Sequence, residues 1–130
     1  MTTTNVSSPA GIDAVYYMVK DVARARKFYE EGLGFVPSYV SDAGEWEGVE
    51  YALPTGQTFG LGKNASFPWR ECGGVMIAVT DVENATRRVS EFGGKIMMGP
   101  HDSSVCVMTW CEDTEGNTFC VHHRKDGTVG

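Results

Sequence analysis

The sequence predicts an α+β protein built from paired βαβββ modules. Three observations lead there: an internal repeat, the same order of strand and helix patterns in both copies, and glycines that punctuate the turns. Val19-Lys20-Asp21-Val22-Ala23-Arg24-Ala25 returns as Val79-Thr80-Asp81-Val82-Glu83-Asn84-Ala85 at an offset of 60. Gly56-Gln57-Thr58-Phe59-Gly60-Leu61 returns as Gly116-Asn117-Thr118-Phe119-Cys120-Val121 at the same offset, and so do Gly34 and Gly94. A module of about 60 residues is too small to hide a sheet face alone, so the two copies are expected to pack together.

The elements follow in order. Residues 12–19 and 74–79 are β-branched and aromatic enough to be strands. Asp21 and Asp81 then cap helices, their carboxylates accepting the free N–H groups of the first turn. Val22, Ala25, Phe28, Tyr29 and Leu33 form an apolar stripe on the first helix; Val82, Ala85, Val89 and Phe92 do so on the second. Gly32 or Gly34 and the pair Gly93-Gly94 stop the helices. Three strands are expected after each helix, at 35–40, 46–53 and 57–62, then at 95–98, 104–111 and 117–123. Pro54-Thr55-Gly56 and Asp113-Thr114-Glu115-Gly116 carry the turn chemistry that joins the last two strands of each copy. The division expected is a flexible arm at 1–10, one domain at 11–125 and a loose tail at 126–130. Within the domain, module one spans 12–62, a linker 63–72 and module two 73–124.

Composition narrows the function classes. The 130 residues carry 17 acidic and 11 basic side chains, a net charge of −6, and no basic cluster longer than Arg124-Lys125, so nucleic acid is not an expected partner. Cys72, Cys106, Cys111 and Cys120 form no C-x-x-C pair, and a chain able to bury its own core needs no disulfide. Residues 1–11 contain no Lys or Arg and no apolar run, which does not match a signal peptide, and no stretch approaches a membrane span. A reduced cytoplasmic setting is the expectation, with no membrane partner.

The V-x-D-V opening of each helix, the run Phe28-Tyr29-Glu30-Glu31-Gly32-Leu33-Gly34-Phe35 and the turn Asp113-Thr114-Glu115-Gly116-Asn117 together resemble the vicinal oxygen chelate superfamily. That group includes glyoxalase I, extradiol dioxygenases, fosfomycin-resistance enzymes and bleomycin-resistance proteins. The resemblance covers residues 12–124 and implies the paired-module fold with curled mixed sheets around a cavity, a homodimer and, in catalytic members, a divalent metal held by His, Gln or Glu. The corresponding slots here are Ala14, Gly60, Gly74 and Cys120. Ala and Gly offer no side-chain donor, and one thiol does not make the roughly three protein ligands a catalytic ion needs. No metal and no other cofactor is therefore expected.

Strand alternation predicts what lines the cavity instead. Ala14, Tyr16 and Met18 share a face; so do Trp46, Gly48 and Glu50, then Gly74, Met76 and Ala78, then Cys106, Met108 and Trp110, then Cys120 and His122. Val49, Tyr51 and Leu53, Val75, Ile77 and Val79, and Val105 and Val107 take the helix-facing side. The expected ligand-binding set is Tyr16, Met18, Trp46, Glu50, Met76, Cys106, Met108, Trp110, Cys120 and His122, with room at the centre where bulk is missing at 14, 60 and 74. An aromatic, sulfur-rich lining suits a small, planar, partly apolar molecule. Glu50, His122 and His101 are the acid–base candidates, His101 being placed in a loop after Gly99-Pro100. His122 and His123 are adjacent on a strand and so point to opposite faces. Cys120 and His122 lie roughly 6–7 Å apart along a strand, too far for dependable contact. The leading expectation is metal-independent binding, as in sequestration or resistance. The alternatives are a lyase, isomerase or ring-modifying enzyme using Glu50 or a His as base, and a metal-dependent dioxygenase or lyase with relocated ligands.

Overall fold

The computed structural model describes residues 7–42, 44–66 and 72–130. The chain is α+β and runs through two βαβββ modules. The first comprises β1 (Pro9–Met18), α1 (Val22–Lys27) continued by a π-helical turn (Phe28–Gly32), β2 (Tyr39–Ser41), β3 (Trp46–Ala52) and β4 (Thr58–Asn64). The second comprises β5 (Gly73–Val79), α2 (Val82–Glu91), β6 (Lys95–Asp102), β7 (Cys106–Glu112) and β8 (Thr118–Arg124). Two compact units result: Ala14–Gly73, and Gly74–Gly130 together with the chain up to Asp13.

In the Ala14–Gly73 unit the sheet is ordered β2-β3-β4-β1, with β1 and β4 parallel and the other neighbours antiparallel. Val49, Tyr51 and Leu61 are fully buried on its helix-facing side, against Val19, Ala25, Tyr29, Phe35 and Phe59. Phe59 sits at the centre, with ring centroids of Tyr29, Tyr17 and Phe35 at 5.1, 5.5 and 5.6 Å in edge-on arrangements. Each such fully buried side chain contributes roughly 1.5–3 kcal/mol by leaving water.

The predicted apolar stripe of the first helix is narrower than expected. Val22 is buried and Ala25 and Tyr29 pack on the core, but Phe28 and Leu33 are 61% and 58% exposed. The cause is the π-helical turn at Phe28–Gly32, which breaks the 3.6-residue period; the Phe35 amide reaches back to the Tyr29 carbonyl at 3.1 Å.

The second unit repeats the plan with order β5-β8-β7-β6, β5 and β8 being parallel. Val79, Val82, Cys111 and Val121 form its buried helix-side core, joined by Ile77, Ala85, Val89, Ile96, Val107 and Phe119. Asp21 and Asp81 cap as predicted, accepting from the Arg24 and Asn84 amides at 2.9 and 3.0 Å. The β7–β8 turn is held by Asp113, which accepts from the Glu115 and Asn117 amides at 2.8 and 2.9 Å. Gly116 closes that turn at φ +86°, a conformation open to glycine at little cost.

Several boundaries differ from the sequence reading. The second strand of module one is a short ribbon at 39–41 rather than 35–40, and β4 runs to Asn64, into the predicted linker, of which 67–71 lie outside the described residues. β6 continues to Asp102, so His101 stands on a strand, paired with Met108. Two register shifts, between Ile96 and Met98 and between Met98 and His101, absorb the Gly99-Pro100 break that reads as a loop. Val105 lies outside β7 and is 68% exposed. Phe92 ends α2 with 69% exposure, its ring covered by the Arg88 guanidinium at 5.0 Å.

The expected loose ends are tethered among the described residues. Ser7 is buried, donates its amide to Asn84 Oδ1 at 2.9 Å and accepts from the Asp81 amide at 2.6 Å. Residues 1–6 lie outside the described residues. At the other end Gly130 donates to Asp13 Oδ1 at 3.2 Å, and its carbonyl accepts from Arg124 Nη1 at 2.9 Å. Short polar side chains and backbone groups at both ends find hydrogen-bond partners, which composition alone does not reveal.

Candidate functional site

The ten residues expected to line a pocket fall into two sets. Tyr16, Met18, Trp46 and Glu50 belong to the Ala14–Gly73 unit; Met76, Cys106, Met108, Trp110, Cys120 and His122 belong to the other.

In the first set, the register puts Tyr39, Glu50, Gly60 and Tyr16 in one row across β2-β3-β4-β1 and Ser41, Gly48, Gly62 and Met18 in the next. Gly48, Gly60 and Gly62 make a trough with no side chains, and aromatic rings fill it. A Cβ on Gly60 would lie 2.6 Å from the Tyr16 ring, and one on Gly62 would strike the Tyr16 hydroxyl and the Trp46 indole nitrogen. Trp46 Nε1 donates to the Tyr16 hydroxyl, and Tyr39 stacks on Trp46 at 6.1 Å with planes 5° apart. The room expected at Gly60 is thus taken by Tyr16. Gly74 has a different reason to be glycine: a Cβ there would lie 2.3 Å from the Thr118 carbonyl oxygen.

In the second set the rows are equally regular. Met76, Cys120, Trp110 and Met98 share one row, and Ala78, His122, Met108 and His101 the next. Cross-strand partners share a face, so these side chains lie opposite the helix-side core. Met76, Trp110, Cys120 and His122 are buried, Cys106 and Met108 are half-buried, and His101 is exposed. The open end of this face is therefore the Cys106–Met108–His101 end.

Asp13, absent from the predicted site, organises the chemistry. Its fully buried carboxylate lies 2.5 Å from His122 Nδ1. Arg124 helps hold it there, with Nη2 donating to the Asp13 carbonyl at 3.1 Å and Nη1 lying 3.8 Å from Oδ1. The register sets Cys106 diagonal to His122 across β7 and β8. With Nδ1 given to Asp13, Nε2 is the ring nitrogen left to exchange a proton. Burial lowers the His122 pKa, but hydrogen bonds and charge from Cys106 and Asp13 outweigh it, and the net direction is upward. Cys120 is fully buried, and burial pushes its thiol well above the ordinary range.

The metal slots do not fit an ion. Ala14, Gly60 and Gly74 bring no donor, and Cys120 is held in the thiol form that binds metal poorly. Among the described residues no group of three or more His, Cys, Asp or Glu side chains is arranged to hold a metal ion. An open groove of about 500 Å³ along α1, lined by residues including Val19, Arg24, Phe28 and Tyr29, contains none of the ten predicted residues. Among the described residues no helix is long and apolar enough to cross a membrane.

Comparison with solved structures returns the same architecture. A substituted methylmalonyl-CoA epimerase from Streptomyces coelicolor, in complex with 2-nitronate-propionyl-CoA, superposes with a TM-score of 0.65 at 15% identity, over 91% of this chain and 99% of that one. A hypothetical protein from Bacillus halodurans gives 0.66 at 14% identity, over 92% and 97% of the two chains. The methylmalonyl-CoA epimerase of Mycobacterium tuberculosis gives 0.63 at 18%, over 95% and 92%. At such identities the likeness is one of fold. No curated protein matches the sequence. The family model described as Glyoxalase/Bleomycin resistance protein/Dioxygenase superfamily matches residues 11–121, nearly the whole chain. With two βαβββ modules, mixed sheets and this match, the chain belongs to the glyoxalase/bleomycin resistance protein/dioxygenase superfamily.

Proposed function

We propose that this chain is a glyoxalase-fold enzyme of the lyase or isomerase class that moves a proton on a small, planar, partly apolar carbonyl compound without a bound metal. The observation that carries this reading is the buried Asp13–His122 contact of 2.5 Å. A carboxylate on Nδ1 fixes the tautomer and ring orientation of a histidine and leaves Nε2 to exchange protons. With its pKa raised from the ordinary 6.5, His122 can hold a proton, give it up and take it back. Met108 and the rows behind it give an apolar, polarizable surface for a flat molecule. Support also comes from the fold neighbours named as epimerases, whose reaction class is isomerisation. Of the sequence candidates, His122 takes the proton-transfer role, and His101, exposed in its row, stands at the mouth. Glu50, in the other unit, takes no part in this reading.

The test is solvent deuterium exchange, followed by NMR, into a panel of carbonyl compounds and thioesters with acidic α C–H bonds, methylmalonyl-CoA included. Wild type is expected to catalyse exchange into at least one of them, and His122→Asn to lower the rate by about 100-fold or more. Exchange unchanged in His122→Asn overturns the reading. Tryptophan quenching by the panel without exchange overturns it as well, and leaves a binding protein.

A further inference from the structure

The groove along α1 belongs to the Ala14–Gly73 unit, whereas His122 belongs to the other. Its volume of about 500 Å³ is that of a small-molecule site. Val19, Ala25 and Tyr29 line it and also pack on the Val49–Tyr51–Leu61 core, so this wall is held in place. Phe28 completes it. The π-helical turn that begins at Phe28 rotates this ring out of the core and leaves it 61% exposed, with Tyr29 edge-on to it at 5.1 Å. Such turns are rare and frequent at functional sites.

The charged groups on the groove are Lys20, Asp21 and Arg24. The Asp21 carboxylate accepts from the Arg24 amide at 2.9 Å, so that amide is already taken. The Arg24 guanidinium is exposed, and among the described residues no carboxylate forms an ion pair with it, whereas Arg26 on the same helix is bound to Glu30. One turn further on, Lys27 and Glu31 are exposed and opposite in charge. Residues 20–27 carry four basic side chains and one acidic one, in a chain that has 11 and 17. An apolar groove edged by that guanidinium, in a locally basic stretch of an acidic chain, is complementary to an anion with a hydrophobic body.

We propose that this groove binds a small aromatic carboxylate, its ring against Phe28 and Tyr29 and its carboxylate on the Arg24 guanidinium. The site goes beyond the proton-transfer reading and shares no residue with it. A guanidinium donates two parallel N–H bonds to a carboxylate, and a flat ring covers aromatic side chains with few rotors to immobilise. Both parts are needed: an exposed ion pair alone contributes little, and an apolar wall alone selects no charge.

The experiment is a 1H–15N NMR titration of the full chain with 2-naphthoate, run beside uncharged 2-naphthamide and ring-free acetate. 2-Naphthoate is expected to shift the amides of residues 19–29, with a dissociation constant below about 1 mM. 2-Naphthamide and acetate are each expected to bind about tenfold more weakly or worse. Arg24→Gln and Phe28→Ala change exposed side chains that the core does not need, and should weaken 2-naphthoate by about tenfold and about threefold. Raising NaCl to about 500 mM should weaken binding to wild type and leave Arg24→Gln nearly unaffected. Shifts centred elsewhere in the chain, equal affinity for 2-naphthoate and 2-naphthamide, or undiminished binding by Arg24→Gln overturns the proposal. The titration reads the α1 groove and deuterium exchange reads His122, so failure of one is separable from failure of the other.

Discussion

Tyr51 has no exposure to solvent, yet its hydroxyl is satisfied: it donates to Glu30 Oε2 at 2.9 Å, and Arg26 holds the same carboxylate at 2.6 and 3.2 Å. A buried hydroxyl without that acceptor would lose its hydration with nothing in return. Tyr51→Phe removes the donor and keeps the ring among Phe35 and Phe59. The expected cost is about 1.5 kcal/mol, read as a lower urea midpoint at unchanged slope. A cost near zero would mean that Arg26 alone satisfies Glu30. At this same scale, some of the site was legible and some was not. Alternation placed Cys106, Met108 and Trp110 on one face and Cys120 with His122 on its neighbour, because period 2 is a local property of a strand. Asp13 was not legible: it and Ala14 are both buried, which breaks the alternation, and its partner is 109 residues away. The diagonal placement of Cys106 and His122 was hidden for the same reason, since it depends on β7–β8 register.

At the scale of elements, the glycines divide into kinds that sequence does not separate. Gly60 is read from the repeat as a missing ligand; in the sheet it is the floor under Tyr16. Gly60→Ala puts a Cβ within 2.6 Å of that ring, which must move, with an expected loss of about 1–3 kcal/mol. Tyr16→Ala should cost stability alone but relieve the clash, so the double variant should be more stable than the sum of the two changes predicts. Gly74→Ala meets backbone instead, at 2.3 Å, and no side-chain deletion relieves it. Thermal unfolding of wild type and these four variants checks both halves; additive behaviour in the Gly60–Tyr16 pair would refute the trough. The repeat itself made the two modules, their helix caps and their closing turns readable, since these rest on local chemistry. The π-helical turn and the two bulges of β6 were not, because each is a compromise between a local pattern and the core that the strand or helix must cover.

The whole chain responds to pH through groups that titrate on opposite limbs. On the acid side, the Arg26 hydrogen bond, opposed by burial and aided by Tyr51, holds the Glu30 carboxyl below its ordinary 4.5, and hydrogen bonds from Asn117 and Thr128 do the same for Asp113 and Asp126. A carboxyl with a depressed folded pKa stabilises the fold above its unfolded value, and that stability is lost as pH falls through the folded pKa. On the other side stands His122. Its folded pKa is raised above 6.5, so its contribution is complete below 6.5 and is lost as pH rises through the folded value. Cys111, pushed up to about 11 by burial, and Tyr51, pushed up to about 12 by burial and Glu30, extend the alkaline loss in the same direction. Stability should therefore be greatest between about pH 4.5 and 6.5, on the acid side of neutrality, a window that begins close to the sequence pI of 4.9. The charge of −6 at pH 7 adds mutual repulsion above that window and so acts the same way. Urea midpoints measured from pH 4 to pH 9 should fall on both sides. Glu30→Gln should flatten the acid limb and His122→Asn the limb above 6.5, each leaving the other in place, because the Glu30 and His122 networks lie in different units and share no partner. A wild-type maximum at or above pH 8 would show that His122, beside Asp13, does not hold its proton in the folded chain.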